Sequence, residues 1–404
     1  MNSNRKYGIG GSTAEVELFK LTEPTVKPSP ISKEEYQNRI DKACAALKKN
    51  GLDALYINAG TNLYYFTNTK WNPSERLVGA VLFADGSLKY VVPEFEIGTF
   101  NDYKGIDGEI IAWAEHECPI QKIADSVEQG ISLALDDVTP FTLVSRFQNH
   151  KVFQISSAET LIRDIRMLKS DAEIAQLQYA MDLTMQVHKA TAKILRPGIT
   201  TAEVEDFINK AHKKLGIASG SYFCIVLFGK DSSFPHGVKS PKPLEENDIV
   251  LVDTGARFNG YLSDITRTYV FGEATAKQKE IWTNEKDAQL AAFRAAELGK
   301  PCGHIDDEVR VQLVKDGLGP DYDLPGLPHR TGHGIGLDIH EHPFILRGND
   351  NELQAGMTFS IEPMIVVPNE FGIRLEDHIY MTSEGPKWFT EPAHSIDNPF
   401  GVNN

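Results

Sequence analysis

Residues 249–272 constrain the fold most, because two β-branched apolar runs are separated there by Asn259-Gly260. Asn-Gly adopts the positive φ angles of a two-residue hairpin turn at little cost, so the segment predicts two antiparallel strands in fixed register. In that register Gly255 faces Asp264, and Asp253 is the diagonal neighbour of Asp264 on the same face, roughly 7–8 Å away between backbones. Both carboxylates can therefore reach one shared site.

Asp253 interrupts an apolar run, Ile249-Val250-Leu251-Val252, that otherwise predicts a buried strand. A buried carboxylate without a partner is costly and tends to take up a proton, and a bound cation removes that cost. Taken alone, either aspartate would more often be a solvated residue at a strand end. Their pairing in one hairpin favours a cation site without deciding it.

A second polar cluster is LPHRTGHGIGLDIHEHP, whose glycines allow the backbone to approach a ligand closely. Any single histidine here would more often be a core or surface residue than a ligand. Four histidines close together at a glycine-rich bend nevertheless favour a functional, ligand-binding role. The four histidines are His329, His333, His340 and His342.

A third set lies in SIEPMIVV and GIRLED, where Glu362 and Glu376 each interrupt a β-like apolar stretch. On a strand, Arg374, Glu376 and His378 share one face, and an Arg374–Glu376 ion pair is the purely structural alternative. Four carboxylates with His333 form an oxygen-rich set that suits manganese, cobalt or zinc, and bridging carboxylates imply two ions.

The ordered series DTG…D, GHGIGLDIHE, SIEP and GIRLED resembles the M24-type metallopeptidases that cleave before proline, the Xaa-Pro dipeptidases (prolidases) and Xaa-Pro aminopeptidases. The segment NLYYFTN and the short apolar runs around it are similar to their creatinase-type N-terminal domain. The resemblance implies an α+β chain with a C-terminal pita-bread fold. We expect an extended arm at residues 1–30, a smaller α/β domain at 31–160 and the catalytic domain at 161–404.

The resemblance also implies which ion each proposed ligand binds. By position, Asp253 binds one ion, His333 and Glu362 bind the other, and Asp264 and Glu376 bridge both. Glu362 is also expected to shuttle protons. We expect two divalent ions per subunit, with manganese the first choice and cobalt or zinc the alternatives.

On the substrate side, His236 of SFPHG resembles the family's histidine near the substrate carbonyl. His340 resembles the histidine that contacts the scissile peptide, and His329 and Arg374 fit supporting positions. The expected catalytic residues are therefore Glu362, His236 and His340.

The chain departs from the family at Val366, which stands where a tyrosine is common after the EP motif. A mechanism that uses that tyrosine is therefore not expected here. The segment WNPSERL, with Trp71, Glu75 and Arg76, resembles a loop that some dipeptidases insert into the active site of a partner subunit. It is the one segment that points to the homodimer implied by the resemblance.

The implied activity is hydrolysis of Xaa-Pro bonds through a metal-bridging hydroxide, with dipeptides as the expected substrates. Three alternatives stay open: an aminopeptidase acting on longer peptides, a creatinase-like enzyme or lyase on the same scaffold, and a non-catalytic member that binds peptides. A tertiary amide nitrogen needs a proton in order to leave, which suits an acid such as Glu362.

Charge and composition exclude other classes of partner. The 56 acidic residues outnumber the 41 basic ones, giving a net charge of −15 that disfavours nucleic acid and anionic lipid. No apolar stretch approaches the ~20 residues that cross a bilayer. The cysteines lie far apart without a CxxC pair, so we expect a cytoplasmic protein. These are Cys44, Cys118, Cys224 and Cys302.

Overall fold

The computed structural model describes residues 7–402, whose contacts divide the chain into two compact units. One unit is residues 30–166, and the other joins the residues before that range to those after it. Within the described residues, no helix combines the length and the apolar character needed to span a membrane.

The N-terminal segment differs from the extended arm expected from its sequence. Helix α1 (Ala14–Lys20) forms there, and Thr13 caps it by accepting a hydrogen bond from the backbone N–H of Val16. Before the helix, Gly10 donates a backbone hydrogen bond to the carbonyl of Ala192. The cap is local, whereas the contact with Ala192 joins residues distant in the chain, which a local pattern does not reveal.

Residues 30–166 form an α/β unit around one mixed sheet. Its strands are β1 (Ala54–Asn58), β2 (Gly79–Phe83), β3 (Leu88–Pro93), β4 (Glu109–Trp113), β5 (Ile131–Leu135) and β6 (Phe153–Ser157). The order is β4-β3-β2-β1-β5-β6, antiparallel from β1 to β3 and parallel elsewhere. Its helices are α2 (Lys33–Lys49), α3 (Thr61–Thr67), α4 (Ile97–Tyr103), α5 (Pro119–Asp125), α6 (Phe141–Gln148) and α7 (Glu159–Arg166).

The other unit contains three sheets and four longer helices. The helices are α8 (Asp171–Ile194), α9 (Thr201–Lys214), α10 (Ala276–Ala295) and α11 (Cys302–Lys315). The first sheet contains β7 (Ser221–Phe228), β8 (Asp248–Phe258), β9 (Tyr261–Leu262) and β10 (Ile265–Phe271). The second, in the order β12-β11-β13-β16-β17, contains β11 (Gly332–Gly334), β12 (Glu341–Ile345), β13 (Thr358–Ile361), β16 (Asp377–Thr382) and β17 (Gly385–Trp388). A two-stranded sheet pairs β14 (Met364–Val367) with β15 (Phe371–Arg374).

Strand β8 is buried on both faces, which explains its continuous apolar run. Ile249 and Leu251 pack into a core shared with α10 and α11, whereas Val250 and Val252 pack into a core shared with α8 and α9. Alternating side chains of a strand point to opposite faces, so each core receives every second residue. Asp253 continues the face of Leu251 and is therefore carried into the interior.

The hairpin has the predicted turn and register. Asn259 and Gly260 have φ angles of 48° and 94°, and Asp253 pairs with Thr266, as a two-residue loop requires. Thr266 also forms an isolated β-bridge with Glu376, just before β16. The hairpin and the five-stranded sheet therefore meet where their carboxylates lie.

A nearly buried ion pair anchors the first residue of β12, Glu341. Lys169 Nζ lies 2.6 Å from Glu341 Oε1, and the Lys169 side chain is 1 % exposed. Glu341 also accepts a hydrogen bond from the backbone N–H of Asp338. Because Glu341 follows His340, the pair holds the segment that carries this histidine.

Replacing Lys169 with methionine should destabilise the protein strongly, because Glu341 would lose the ammonium group that pairs with its carboxylate in a nearly buried site. Removing one partner of a buried pair costs on the order of 3–5 kcal/mol. The matched control is Lys210→Met, whose pair with Asp206 is more than half exposed and should contribute less than about 1 kcal/mol. Urea unfolding of both metal-free variants gives the comparison, and equal losses would contradict an anchoring role for Lys169.

Candidate metal centre

The five side chains predicted as metal ligands converge within one unit, although they come from two places, the hairpin of β8 to β10 and the strands and strand ends of the five-stranded sheet. Donor atoms of Asp253, Asp264 and Glu376 all lie within 4.8 Å of one another, and so do donor atoms of His333, Glu362 and Glu376. The two sets share Glu376, which the sequence predicted as a bridging residue. The donor atoms therefore form two groups that have one residue in common.

Two glycines allow the strands around this cluster to approach closely. A Cβ atom at Gly255 would lie 1.8 Å from the carbonyl oxygen of Ser263, and one at Gly332 would lie 2.0 Å from that of Ser360. Any side chain would push these backbones apart. Gly255, two residues after Asp253, and Gly332, directly before His333, therefore keep the cluster compact.

His333 is oriented by contacts on both sides of its ring. Its Nδ1 lies 3.0 Å from the carbonyl oxygen of Gly334, so Nδ1 carries the proton when the imidazole is neutral. Nε2 lies 3.0 Å from Glu362 Oε1 and 3.6 Å from Asp264 Oδ2. A hydrogen bond on one ring nitrogen that leaves the other facing carboxylates is the usual arrangement of a metal-binding histidine.

Burial dominates the electrostatics of the four carboxylates. It raises the pKa of Asp253, Asp264 and Glu376, and neighbouring carboxylates raise the pKa of Asp264 and Glu376 further. For Glu362, burial also raises the pKa, but the charge of His333 and its hydrogen bond outweigh it and hold the pKa well below its usual range. Without added positive charge, Asp253, Asp264 and Glu376 therefore tend to take up a proton.

Unsatisfied oxygens provide a test of whether cations fit this cluster. Asp253 Oδ1, Asp264 Oδ1 and Glu376 Oε1 are buried and accept no hydrogen bond from the described residues. Buried polar atoms normally have partners, and those without one call for a specific explanation. Cations held between the carboxylates would satisfy all three oxygens, so the donor set fits divalent metal.

Arg374, predicted on the substrate side, lies against the ligand set. Its Nη2 is 2.5 Å from Asp253 Oδ2, and its Nε donates a hydrogen bond to Thr266 Oγ1 at 3.0 Å. Thr266 in turn donates to Glu376 Oε2 at 2.6 Å. Arg374 and Thr266 thus fix one oxygen of each carboxylate and leave the other available.

The three histidines predicted on the substrate side lie at different depths. The His340 ring packs edge-on against His333, with 4.2 Å between centroids, and burial together with the charge of His333 lowers its pKa to about 4. His329 is anchored through Nδ1, 2.7 Å from the carbonyl of Arg330, and its buried Nε2 has no hydrogen-bond partner among the described residues. His236 lies on an exposed turn close enough to interact electrostatically with His340.

The remaining sequence predictions lie outside the ligand cluster. Val366, at the position of the family's tyrosine, is buried in β14, where its backbone bridges to Gly326. In the unit of residues 30–166, Trp71 packs against Phe100, and Arg76 pairs with Glu75 and with another glutamate. The role of the Trp71 loop in a partner's site stays a prediction.

Two residues near the cluster were not among the predicted site residues. Arg330 lies over the Phe344 ring, 4.5 Å from its centroid, and forms no ion pair with the described residues, although Glu362 interacts with its charge. His378 forms a third set of donor atoms with Asp264 and His333. Strand alternation predicted His378 on the face of Glu376, whereas Arg330 lies among histidines and glycines and has no sequence signal of its own.

Comparison with known proteins agrees with this geometry. The sequence model of metallopeptidase family M24 matches residues 175–383, and that of the creatinase/prolidase N-terminal domain matches residues 39–168. YkvY of Bacillus subtilis, whose name assigns it provisionally to the dipeptidases, is 35% identical over 88% of this chain and 98% of its own length. An uncharacterised peptidase of Staphylococcus aureus is 32% identical over 86% of this chain and 97% of its own.

Solved structures show the same architecture. Dipeptidase PepE from Mycobacterium ulcerans matches with a TM-score of 0.84 at 31% identity, covering 91% of this chain and 99% of its own. A prolidase from Thermococcus sibiricus matches with a TM-score of 0.79 at 29% identity, covering 88% and 97%. The sequence prediction of a pita-bread fold with a creatinase-type N-terminal domain is therefore confirmed, and the chain belongs to metallopeptidase family M24.

Proposed function

We propose that the protein is an Xaa-Pro dipeptidase that uses two divalent cations. The observation that carries the proposal is the pair of buried donor sets that share Glu376. The similarity to a dipeptidase and a prolidase supports the reaction class. When bound, two such ions lower the pKa of a shared water and polarise the substrate carbonyl.

The ligand roles follow the two donor sets. Asp253 would bind one ion, His333 and Glu362 would bind the other, and Asp264 and Glu376 would bind both. This assignment is supported by Glu376 belonging to both donor sets and by Asp264 lying near both Asp253 and His333. The set is rich in oxygen, so manganese is our first choice, with cobalt and zinc as alternatives. Because this chain has all five ligand residues of the metal-dependent family members, a metal-dependent peptidase is favoured over a metal-free creatinase-like enzyme.

Glu362 is the proposed proton carrier. It is the carboxylate with the lowest pKa of the four, because His333 stabilises its charged form, and its side chain is 13% exposed while Asp264 is 6% exposed. A charged carboxylate beside the attacked carbonyl can accept a proton from water and pass it to the departing proline nitrogen. Proton transfer of this kind contributes about 10²–10⁴-fold to the rate.

The proposed substrate groups each have a candidate partner. His340 and His329 have lowered pKa values and are therefore neutral near pH 7, so they can donate or accept hydrogen bonds at the peptide. Arg330 is half-buried and has no acidic partner among the described residues, so it can bind a carboxylate. When proline is the second residue of the substrate, its carboxylate is free only in a dipeptide, which favours a dipeptidase over an aminopeptidase.

A peptide panel tests the reaction. Protein purified without chelator and assayed with manganese, cobalt or zinc should release proline from Ala-Pro, with much less cleavage of Ala-Ala and Ala-Pro-Ala. Asp264→Asn and Glu376→Gln should lose both bound metal and turnover, whereas Asp287→Asn, on an exposed face of α10, should match wild type. Absence of cleavage by metal-loaded protein would reject a peptidase, and equal cleavage of the tripeptide would indicate an aminopeptidase.

The role of Arg330 can be separated from metal binding. Arg330→Leu should raise KM for Ala-Pro about 10–100-fold, because a charge-assisted hydrogen bond contributes roughly 1.5–3 kcal/mol, while bound metal stays unchanged. Arg294→Leu, at an exposed position of α10, is the control. Wild type should prefer Ala-Pro to its C-terminal amide, and the variant should lose that preference. A variant that keeps the preference would exclude Arg330 as the carboxylate site.

A further inference from the structure

His378 is a fully buried histidine beside the proposed metal ligands, and neither ring nitrogen has a hydrogen bond of normal geometry with the described residues, although the Asp264 backbone lies near the ring and partly offsets the lowering of its pKa by burial. It lies in β16, where its backbone pairs with that of Ser360. Buried imidazole nitrogens are normally satisfied, so two unsatisfied nitrogens on one ring require an explanation.

Other deeply buried histidines in the same unit do have partners. His188 Nε2 lies 2.9 Å from the carbonyl oxygen of Ile265. His212 lies 3.2 Å from Thr184 Oγ1 through Nε2 and 3.0 Å from Ser221 Oγ through Nδ1. Burial alone therefore does not leave a histidine unsatisfied in this fold, and the difference at His378 lies in its surroundings.

Those surroundings are the metal ligands. Donor atoms of Asp264, His333 and His378 all lie within 4.8 Å of one another, and the rings of His333 and His378 are 5.9 Å apart between centroids. Donor atoms bound to one ion at roughly 2.0–2.2 Å are at most about 4.4 Å apart, so a shift of about 0.4 Å or less brings the set within range.

We propose that His378 supplies a second nitrogen to the ion that His333 binds, in addition to the five ligands predicted from the sequence. The inference rests on the proposed function, because it requires that ion to be present. It has a consequence for metal choice. Nitrogen ligands favour cobalt and zinc over manganese more strongly than oxygen ligands do, so His378 biases the site toward the former pair.

Metal binding, measured apart from turnover, tests the proposal. Chelator-treated wild type, His378→Asn and the control His212→Asn are titrated with cobalt and with manganese by equilibrium dialysis. In His378→Asn, affinity for one of the two cobalt ions should fall at least about 10-fold, because loss of a residue that only supports a metal ligand already costs about 10–100-fold, with a smaller change for manganese. The visible cobalt spectrum should change as well. If His378→Asn keeps the metal affinities and the cobalt spectrum of wild type, the proposal is overturned.

A measurement on wild type covers the case in which His378→Asn fails to fold. Proton NMR of the cobalt-loaded protein should show two solvent-exchangeable, strongly shifted imidazole N–H signals, one each from His333 and His378. A single signal would overturn the inference while leaving the proposed function intact, provided that the same sample binds two ions and cleaves Ala-Pro. Wild type that binds no metal would reject both.

Discussion

Mutual repulsion among buried carboxylates is the constraint on which the rest of the structure depends. Four acidic side chains lie within a few ångströms of one another, almost out of contact with water. The cationic groups paired with them are Arg374 and, when protonated, His333. Removing one charged partner from such a cluster costs several kcal/mol, so the carboxylates stay charged together only when positive charge is supplied between them, and otherwise protonation relieves the repulsion.

The surrounding fold brings this cluster together from separate sheets. The hairpin carries the aspartates, the five-stranded sheet carries His333, and the bridge between Thr266 and Glu376 joins the two. Buried anchors such as the Lys169–Glu341 pair hold the neighbouring segment in place. Rigid supports of this kind limit how far a site rich in like charge can expand.

Local sequence chemistry predicted part of this arrangement. Asn259-Gly260 determined the hairpin register, because a tight turn leaves one pairing available, and that register placed Asp253 opposite Thr266. The five ligand types came from motif order, which reflects the resemblance to a family. Neither source could orient Arg374 toward Asp253, since that contact joins residues 121 positions apart.

Most of the features that the sequence did not predict depend on contacts between residues distant in the chain. The N-terminal helix is fixed against α8, the Lys169–Glu341 pair spans 172 residues, and the unsatisfied nitrogens of His378 are visible only in three dimensions.

The proposed function depends most on the binding of two metal ions by the carboxylate cluster. Anomalous diffraction from manganese-soaked crystals tests it directly. Two peaks about 3.5–4 Å apart among Asp253, Asp264, His333, Glu362 and Glu376 are predicted, and the absence of any peak there, or a single one, would contradict the account.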